Sequence, residues 1–454
     1  MKDRLLKGEE NLYLDYMMRG SVRLGKGFYD PAIQDFNEAL KLKPDLLDAY
    51  HFRGVAYRKK GEVDKAIEDF NTTIDRKPDL AGAYYNRGLA YYHKAQIEKA
   101  MADYNTSIDL NPTLSRAYYQ RGIIYHDSGE VDKAIEDYST AIKHHYNFAD
   151  AYNRRGLAYR DKGEVYHAIK DFSKAIELRP KFAEAYHNRG ETHAIKGDSE
   201  FAIDDYNGAI SRKPDFAEAY YSRGQVYFRQ NDFDTAIQDF REAIRLKPDF
   251  PDPYQALGNV YAVRGDHSEA IENYNKSIEL KPEDAGAYAD RGNTYWQQNN
   301  FELAIIDYAK AVDLEPSHGE SYVGHGNVLE RQGDLARAIQ YYNKAIELEP
   351  DHPLAYCNRA GTYNKKGEVD KAIADYTQVI ALQPLIKEAH YFLAEVYMQV
   401  GNWSEAKLNL MLARTLGVDI IHLFDKKYGS VANFEQVKGI QLPEDIAALL
   451  TPLR

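Results

Sequence analysis

Small and apolar residues recur along this chain with a period of 34 residues. When each unit is counted from residue 13 + 34n, twelve units run from Tyr13 to Ile420. Within a unit these residues fall at offsets 4, 8 and 11, and again at offsets 20, 24 and 27. Both sets have the i, i+4, i+7 spacing of one buried helical face, so each unit is predicted to contain two amphipathic helices. Offset 20 is alanine in all twelve units, and offset 8 is glycine or alanine, which lets the two helices approach closely.

Helix-ending residues stand between and after the two apolar stripes. Offset 15 is glycine in nine units and Asn231 or Asn299 in two others, which predicts a left-handed residue at the end of each first helix. Proline at offset 32 ends the second helix in ten units, and an aspartate such as Asp45, Asp79 or Asp215 is expected to start the next helix. Each unit is therefore a helix–turn–helix, and twelve of them predict an all-α solenoid.

The residues at these offsets resemble the tetratricopeptide repeat (TPR) family over about nine-tenths of the chain. The third unit carries the pattern as Tyr84, Arg87-Gly88, Tyr91, Ala100, Tyr104 and Pro112. Two departures are systematic, namely tyrosine at offset 4 where the family has tryptophan and arginine at offset 7 where it has leucine. The resemblance implies a right-handed superhelical solenoid whose first helices line a concave groove.

The repeat frame divides the chain into three parts. Residues 1–12 form an N-terminal lead-in, residues 13–420 form the twelve-repeat solenoid, and residues 421–454 form a C-terminal cap. In the cap, Pro443 begins a short amphipathic helix with Ile446, Leu449 and Leu450 on one face. That apolar face is expected to cover the exposed side of the last repeat.

Arginine at offset 7 and aspartate at offset 23 vary together among the repeats. Both are present in repeats one to seven, nine and eleven, and both are lost from repeats eight, ten and twelve. We interpret them as an ion pair between the two helices of one repeat, with duplication history as the competing explanation. A directed pair of this kind fixes geometry even where its net stability contribution is modest.

Candidate binding residues lie on the first helices, opposite the buried stripe. At 100° per residue that face comprises offsets 2, 6, 9 and 13, flanked by offsets 5 and 12. It combines aromatic rings with amide and cationic donors, a composition typical of peptide-recognition surfaces. The residues are Tyr85, Asn86, Tyr92, His93, Tyr119, Gln120, His126, Arg154, Arg160, Tyr221, Phe228, Arg229, Asn259, Asn293, Trp296 and Asn327.

Composition excludes several other classes of function. The chain has 58 Lys and Arg against 70 Asp and Glu and a net charge of -12, which argues against nucleic acid as the main partner. No apolar run is long enough to span a membrane. The single cysteine, Cys357, excludes an internal disulfide and fits a reducing, cytoplasmic location. The scattered histidines lack the spacing of metal ligands, and no phosphate loop or nucleophile motif is present, so no metal, cofactor or catalytic residue is expected.

The resulting hypothesis is a non-enzymatic protein-interaction scaffold that binds a partner protein or extended peptide in its groove. A second hypothesis is a self-assembling structural protein, because Met17, Met18, Val22 and Leu24 leave the first repeat unusually apolar. A third is the regulatory repeat arm of a larger enzyme, whose chemistry would lie outside this sequence.

Overall fold

Helices follow the 34-residue frame through all twelve repeats of the computed structural model, which describes residues 12–452. Most of the predicted lead-in therefore lies outside the described residues. We number the helices α1 to α27 in chain order, so that odd and even numbers up to α24 are the first and second helices of a repeat. They are Leu12–Gly25, Tyr29–Leu42, Leu47–Lys60, Val63–Arg76, Ala81–His93, Ile97–Leu110, Ser115–Asp127, Val131–His144, Ala149–Asp161, Val165–Leu178, Ala183–Lys196, Ser199–Arg212, Ala217–Arg229, Phe233–Leu246, Pro251–Arg264, His267–Leu280, Ala285–Gln297, Phe301–Leu314, Gly319–Arg331, Leu335–Leu348, Pro353–Lys366, Val369–Leu382, Lys387–Gln399, Trp403–Thr415, Ile420–Tyr428, Val431–Lys438 and Glu444–Leu449.

The described residues divide into two compact units, one ending at Val226 and one beginning at Tyr227. Within each unit a first helix packs on its own second helix, and that second helix packs on the next first helix. This consecutive pairing confirms the predicted all-α solenoid of helix–turn–helix repeats.

The turn inside each repeat is made by the left-handed residue that the sequence predicts. Offset 15 has positive φ at nine glycines, and Asn231 and Asn299 adopt it at 61° and 58°. In the third repeat Ala95 occupies the same position at 54°. An alanine Cβ crowds the backbone at positive φ, so alanine rarely adopts this conformation. The third repeat is therefore the one repeat in which the residue type did not predict the left-handed turn.

The aspartates that follow the prolines do not cap the next helix, so that expectation was wrong. Helix α3 begins at Leu47, and the cap position is Leu46, one residue after Asp45, with no side-chain cap hydrogen bond. The same cap position is Leu114 in repeat three and Phe148 in repeat four. The Phe148 side chain packs against a buried cluster that includes Ala151, so apolar packing has displaced the polar cap here.

Close contact between the two helices of a repeat depends on the glycine at offset 8. A Cβ built on Gly88 would lie 2.7 Å from the ring of Tyr104, and one on Gly258 would lie 2.5 Å from the ring of Tyr274. These rings come from offset 24 of the second helix and are fully buried. The glycine therefore makes room for an aromatic ring rather than for a neighbouring backbone.

The predicted arginine–aspartate pairs are present in eight repeats, and in seven of these the arginine also donates to a side chain of the preceding repeat. Arg121 donates from Nε to Asp137 Oδ2 and from Nη2 to Asp137 Oδ1, both at 2.8 Å. It also donates from Nη1 to Asn105 Oδ1 of the preceding repeat, again at 2.8 Å. One guanidinium thus joins three helices. The ninth pair, Arg223 with Asp239, falls across the division between the two units and stays a prediction.

Three short helices, α25 to α27, cover the last repeat. The buried side chains of Phe424, Phe434, Ile446 and Leu450 form one cluster with Leu410 and other residues of repeat twelve. The sequence indicated only the last of these helices. At the other end of the chain, Met18 and Val22 of α1 are 62% and 57% exposed, and self-association through them stays a prediction.

Candidate functional site

A groove of about 730 Å³ runs along the first helices of repeats one to four, inside the unit that ends at Val226. We call it the first-helix groove. Six of the sixteen predicted residues line it, and they come from repeats three and four: Tyr85, Asn86, Tyr92, His93, Tyr119 and Gln120. The remaining lining residues are Leu24, Phe52, Val55, Arg58, Lys59, Gly82, Leu89, Leu114, Arg116 and Phe148.

Charge in the groove opposes the charge of the whole chain. Its described lining contains Arg58, Lys59 and Arg116 but no aspartate or glutamate, whereas the chain carries a net charge of -12. Since most of the acidic excess lies elsewhere, the groove is a local cationic surface. Such a surface attracts carboxylates and repels other cations.

Arg58 is the cation of this set that has a buried side-chain nitrogen without a partner among the described residues. This atom is its Nε, which forms no hydrogen bond in the described part of the chain. Burial lowers the pKa of the Arg58 guanidinium, and the titratable groups that act on it are tyrosines, foremost Tyr85, rather than carboxylates. A half-buried guanidinium that has no counter-ion within residues 12–452 is costly in a folded protein.

Aromatic rings form the walls beside these cations. The Tyr85 ring lies 6.3 Å from the ring of Tyr104, and the Tyr119 ring lies 4.8 Å from that of Phe148. Burial raises the pKa of Tyr85 and of Tyr119, which keeps both hydroxyls protonated as donors. Rigid aromatic rings offer large contact area at little conformational cost, while the cations between them fix orientation.

Three predicted residues, one of which also lines the groove, bridge neighbouring first helices. Tyr92 donates to Asp127 at 3.3 Å, and His126 Nε2 lies 2.9 Å from Asp161. Arg160 lies 3.9 Å from Glu191. Their polar groups are therefore engaged within the protein.

A second, smaller cavity of about 360 Å³ continues beside the groove in the same unit. Arg154 and Tyr119 line it together with two carboxylates, Asp150 and Glu184. Tyr119 lines both cavities, so the two form a continuous first-helix face. The second cavity lacks the uniform charge of the groove.

In the unit that begins at Tyr227, the predicted asparagines form hydrogen bonds with buried tyrosines. Asn259, Asn293 and Asn327 accept hydrogen bonds of 2.7, 2.7 and 2.8 Å from the buried hydroxyls of Tyr274, Tyr308 and Tyr342. Each tyrosine belongs to the second helix of the same repeat. These carbonyl oxygens satisfy buried donors and are not available to a ligand.

The remaining predicted residues do not line either cavity. Phe228 packs against Phe233 at 5.8 Å, Arg229 is exposed, and Trp296 is 38% exposed. Tyr221 accepts a hydrogen bond from Gln225.

Sequence reasoning missed three cations and one aromatic residue of the groove. Phe52, Arg58 and Lys59 occupy offsets 6, 12 and 13 of repeat two, and Arg116 occupies offset 2 of repeat four. The same offset rule that selected Tyr92 selects them. The prediction omitted these four residues, although the signal for them is present in the sequence.

Comparison with known families identifies the repeats. The model described as "TPR repeat" matches residues 54–94, 122–163, 156–197, 194–231, 224–265 and 258–299. Those described as "Tetratricopeptide repeat" match residues 16–46, 81–114, 103–136, 289–353, 323–376 and 362–412. Together these matches cover most of the chain, so the protein belongs to the tetratricopeptide repeat family. Members of this family are, in general, protein-interaction scaffolds.

Solved structures of helical repeats are similar over long stretches of the chain. Cut9, in a structure of the APC/C hetero-tetramer Cut9-Hcn1, is 15% identical with a TM-score of 0.49, over 88% of this chain and 93% of that one. Yeast Tom70 is 18% identical with a TM-score of 0.43, over 95% and 99%. YrrB, described as a TPR protein with an unusual peptide-binding site, is 26% identical with a TM-score of 0.34, over 40% and 95%. No curated protein matches the chain.

Membrane spans and metal clusters are absent from the described part of the chain. Among the described helices, none is both long and apolar enough to cross a bilayer. Within residues 12–452, no three side chains of His, Cys, Asp or Glu are grouped so that they could hold a metal ion.

Proposed function

We propose that this protein is a non-enzymatic scaffold whose first-helix groove binds an extended segment of a partner polypeptide. The segment carries at least one carboxylate beside apolar or aromatic side chains. The observation that supports this most strongly is the Arg58 guanidinium, half-buried in a groove without acidic residues and with Nε unpartnered.

The chemistry of the groove fits such a segment in two ways. Tyr85, Tyr119 and Phe52 provide apolar area for side chains that leave water. Arg58 and Arg116 provide charge-assisted hydrogen bonds to a carboxylate, which set the register of the peptide. An extended peptide suits a groove that crosses several parallel helices, because it contacts one helix after another.

The proposal also predicts that Arg58 does not stabilise the fold. If Arg58 served the fold, its replacement by methionine would destabilise the protein. Since its Nε satisfies no partner, we expect Arg58→Met to unfold at the same or a higher urea concentration than the parent. A substitution that removes binding while the protein becomes no less stable indicates that the replaced residue serves binding rather than folding.

A peptide-display selection tests the proposal and does not require the natural partner to be identified. Random dodecapeptides selected on the intact chain should be enriched in Asp or Glu next to Leu, Phe or Tyr. The enrichment in acidic residues should disappear when the selection is repeated on Arg58→Met. The control is Lys65→Met, which removes the same charge from the second helix of the same repeat and should leave the enrichment unchanged. Peptides without acidic residues, or equal loss in both variants, would contradict the proposal.

A further inference from the structure

Three repeats lack the arginine at offset 7, and they replace it in different ways. In repeat ten, His325 fills the place and stacks on Tyr341 with ring centroids 4.1 Å apart. In repeat twelve, Leu393 takes the place of the arginine. There His390 at offset 4 has its Nδ1 2.9 Å from Oδ1 of Asn409, the residue that takes the place of the aspartate. Repeat eight has neither arrangement. There Leu257 stands in place of the arginine, and Asn273 donates to the backbone carbonyl of Glu269 at 2.8 Å.

The space that the missing arginine leaves in repeat eight is open. A cavity of about 650 Å³ is lined by Tyr254, Leu257 and Tyr261 of α15 and by Glu269 and Glu272 of α16. It lies wholly within the unit that begins at Tyr227. It is lined by offsets 4, 7 and 11 of the first helix, whereas the first-helix groove is formed by offsets such as 2, 6 and 12.

In repeat nine, the position that corresponds to this cavity is filled by an arginine side chain. The guanidinium carbon of Arg291 lies 5.5 Å from the ring centroid of Tyr288 and 5.9 Å from that of Tyr295. Tyr254 and Tyr261 occupy the same two offsets in repeat eight. The two rings that flank a guanidinium in repeat nine are therefore present in repeat eight without an arginine of their own helix between them.

The charges around the cavity favour a cation. Neither Glu269 nor Glu272 forms an ion pair within residues 12–452, and both are exposed. Lys276 donates to both carboxylate oxygens of Glu279 at 2.9 Å, and Arg241 donates to the uncharged Tyr261 hydroxyl at 2.8 Å. The lining therefore holds three carboxylates against two cations. Two carboxylates thus remain without a counter-ion beside two aromatic rings.

We propose that this cavity is a second binding site, which takes the side chain of an arginine from a partner polypeptide. The planar guanidinium stacks on Tyr254 and Tyr261, and its N–H groups donate to Glu269 or Glu272. Arginine suits this site better than lysine, because a planar cation can contact a ring face and a carboxylate at once. The site is independent of the first-helix groove and has the opposite charge preference.

Photo-crosslinking with two small probes tests the site on the intact chain. The first probe is N-acetyl-arginyl-benzoylphenylalanine amide, and the second replaces arginine with citrulline, which has the same shape but no charge. Crosslinks mapped by mass spectrometry should fall within residues 251–280 for the arginine probe. They should be at least about fivefold weaker for the citrulline probe, as expected for a cation–π contact combined with a carboxylate.

A variant that fills the cavity is the decisive control. Leu257→Arg with Asn273→Asp introduces the pair that Arg291 and Asp307 form in repeat nine and leaves the net charge unchanged, so general attraction of cations to an acidic protein is preserved. We expect it to fold and to lose crosslinking within residues 251–280. Glu269→Gln with Glu272→Gln alters only exposed side chains and should weaken crosslinking as well. Equal labelling by both probes, no labelling by either, or undiminished labelling of the filled variant would overturn the proposal.

Discussion

Replacing Arg121 with leucine isolates the contribution of one guanidinium that joins three helices. The substitution removes two hydrogen bonds to Asp137 and one to Asn105, each of 2.8 Å. Asp137, which is 4% exposed in the parent protein, loses its counter-ion. A buried carboxylate without a partner costs about 1–3 kcal/mol, so Arg121→Leu should lower the free energy of unfolding by that amount.

The pH dependence of this loss follows from the carboxylate. Burial already raises the pKa of Asp137, although the hydrogen bonds from Arg121 act in the opposite direction. Without Arg121 the folded-state pKa must rise further above that of the unfolded chain. Because the folded protein then binds the proton more tightly, lowering the pH favours the folded state. The deficit of Arg121→Leu should therefore be largest at neutral pH and shrink as the pH falls towards the pKa of Asp137.

Adding Asp137→Asn should restore most of the stability. The double variant copies Leu257 and Asn273, which repeat eight already contains. No charge is left buried, so we expect its free energy of unfolding to lie within about 1 kcal/mol of the parent. Native-state hydrogen exchange of α8, followed in increasing urea, measures this locally and does not require the whole repeat array to unfold in one step. Additive effects of the two single substitutions would refute the ion-pair reasoning.

Three further predictions concern the cap, a histidine and the cysteine. Phe434→Ala should destabilise the last repeat by about 3–5 kcal/mol in urea unfolding, because the ring is fully buried in the cap cluster, whereas exposed Val437→Ala should change little. Burial lowers the pKa of His325 to about 4, so as the pH falls the unfolded chain binds a proton before the folded protein does. The free energy of unfolding should therefore decrease between about pH 6.5 and 4, and the decrease should be smaller in His325→Leu. Burial raises the pKa of Cys357 to about 11, so iodoacetamide at pH 8 should alkylate the folded protein at least about tenfold more slowly than the protein in urea.

Periodicity was enough to predict the fold because every repeat uses the same few contacts. Alanine at offset 20, glycine at offset 8 and the left-handed residue at offset 15 act within one helix pair, and twelve copies make the pattern unmistakable. The expectation of polar helix caps failed where an apolar residue occupies the cap position. Asp45 was expected to cap a helix, but the apolar Leu46 occupies that position.

The candidate site was predicted less completely, because helical offsets do not show which polar side chains are used by the core or by a neighbouring repeat. Asn259 looked like a groove residue because its offset lies on the first-helix face, but the nearby Tyr274 hydroxyl needed an acceptor. The contact from Arg121 to Asn105 was missed because only residues within one repeat were compared. Offset 25 is Asn or Ser wherever the following repeat has the arginine, so a comparison between neighbouring repeats would have found it.

The most direct test of the scaffold function is the dissociation constant of a groove peptide. We would measure it by fluorescence anisotropy, using a labelled acidic-aromatic peptide obtained by selection on the intact chain. Arg58→Met should weaken binding by at least about 10-fold, or roughly 1.4 kcal/mol, without loss of stability. Lys65→Met should change the affinity less than about twofold, because that exposed lysine pairs with Glu62 away from the groove. Unchanged affinity in Arg58→Met, or an equal loss in Lys65→Met, would contradict a peptide site in the first-helix groove.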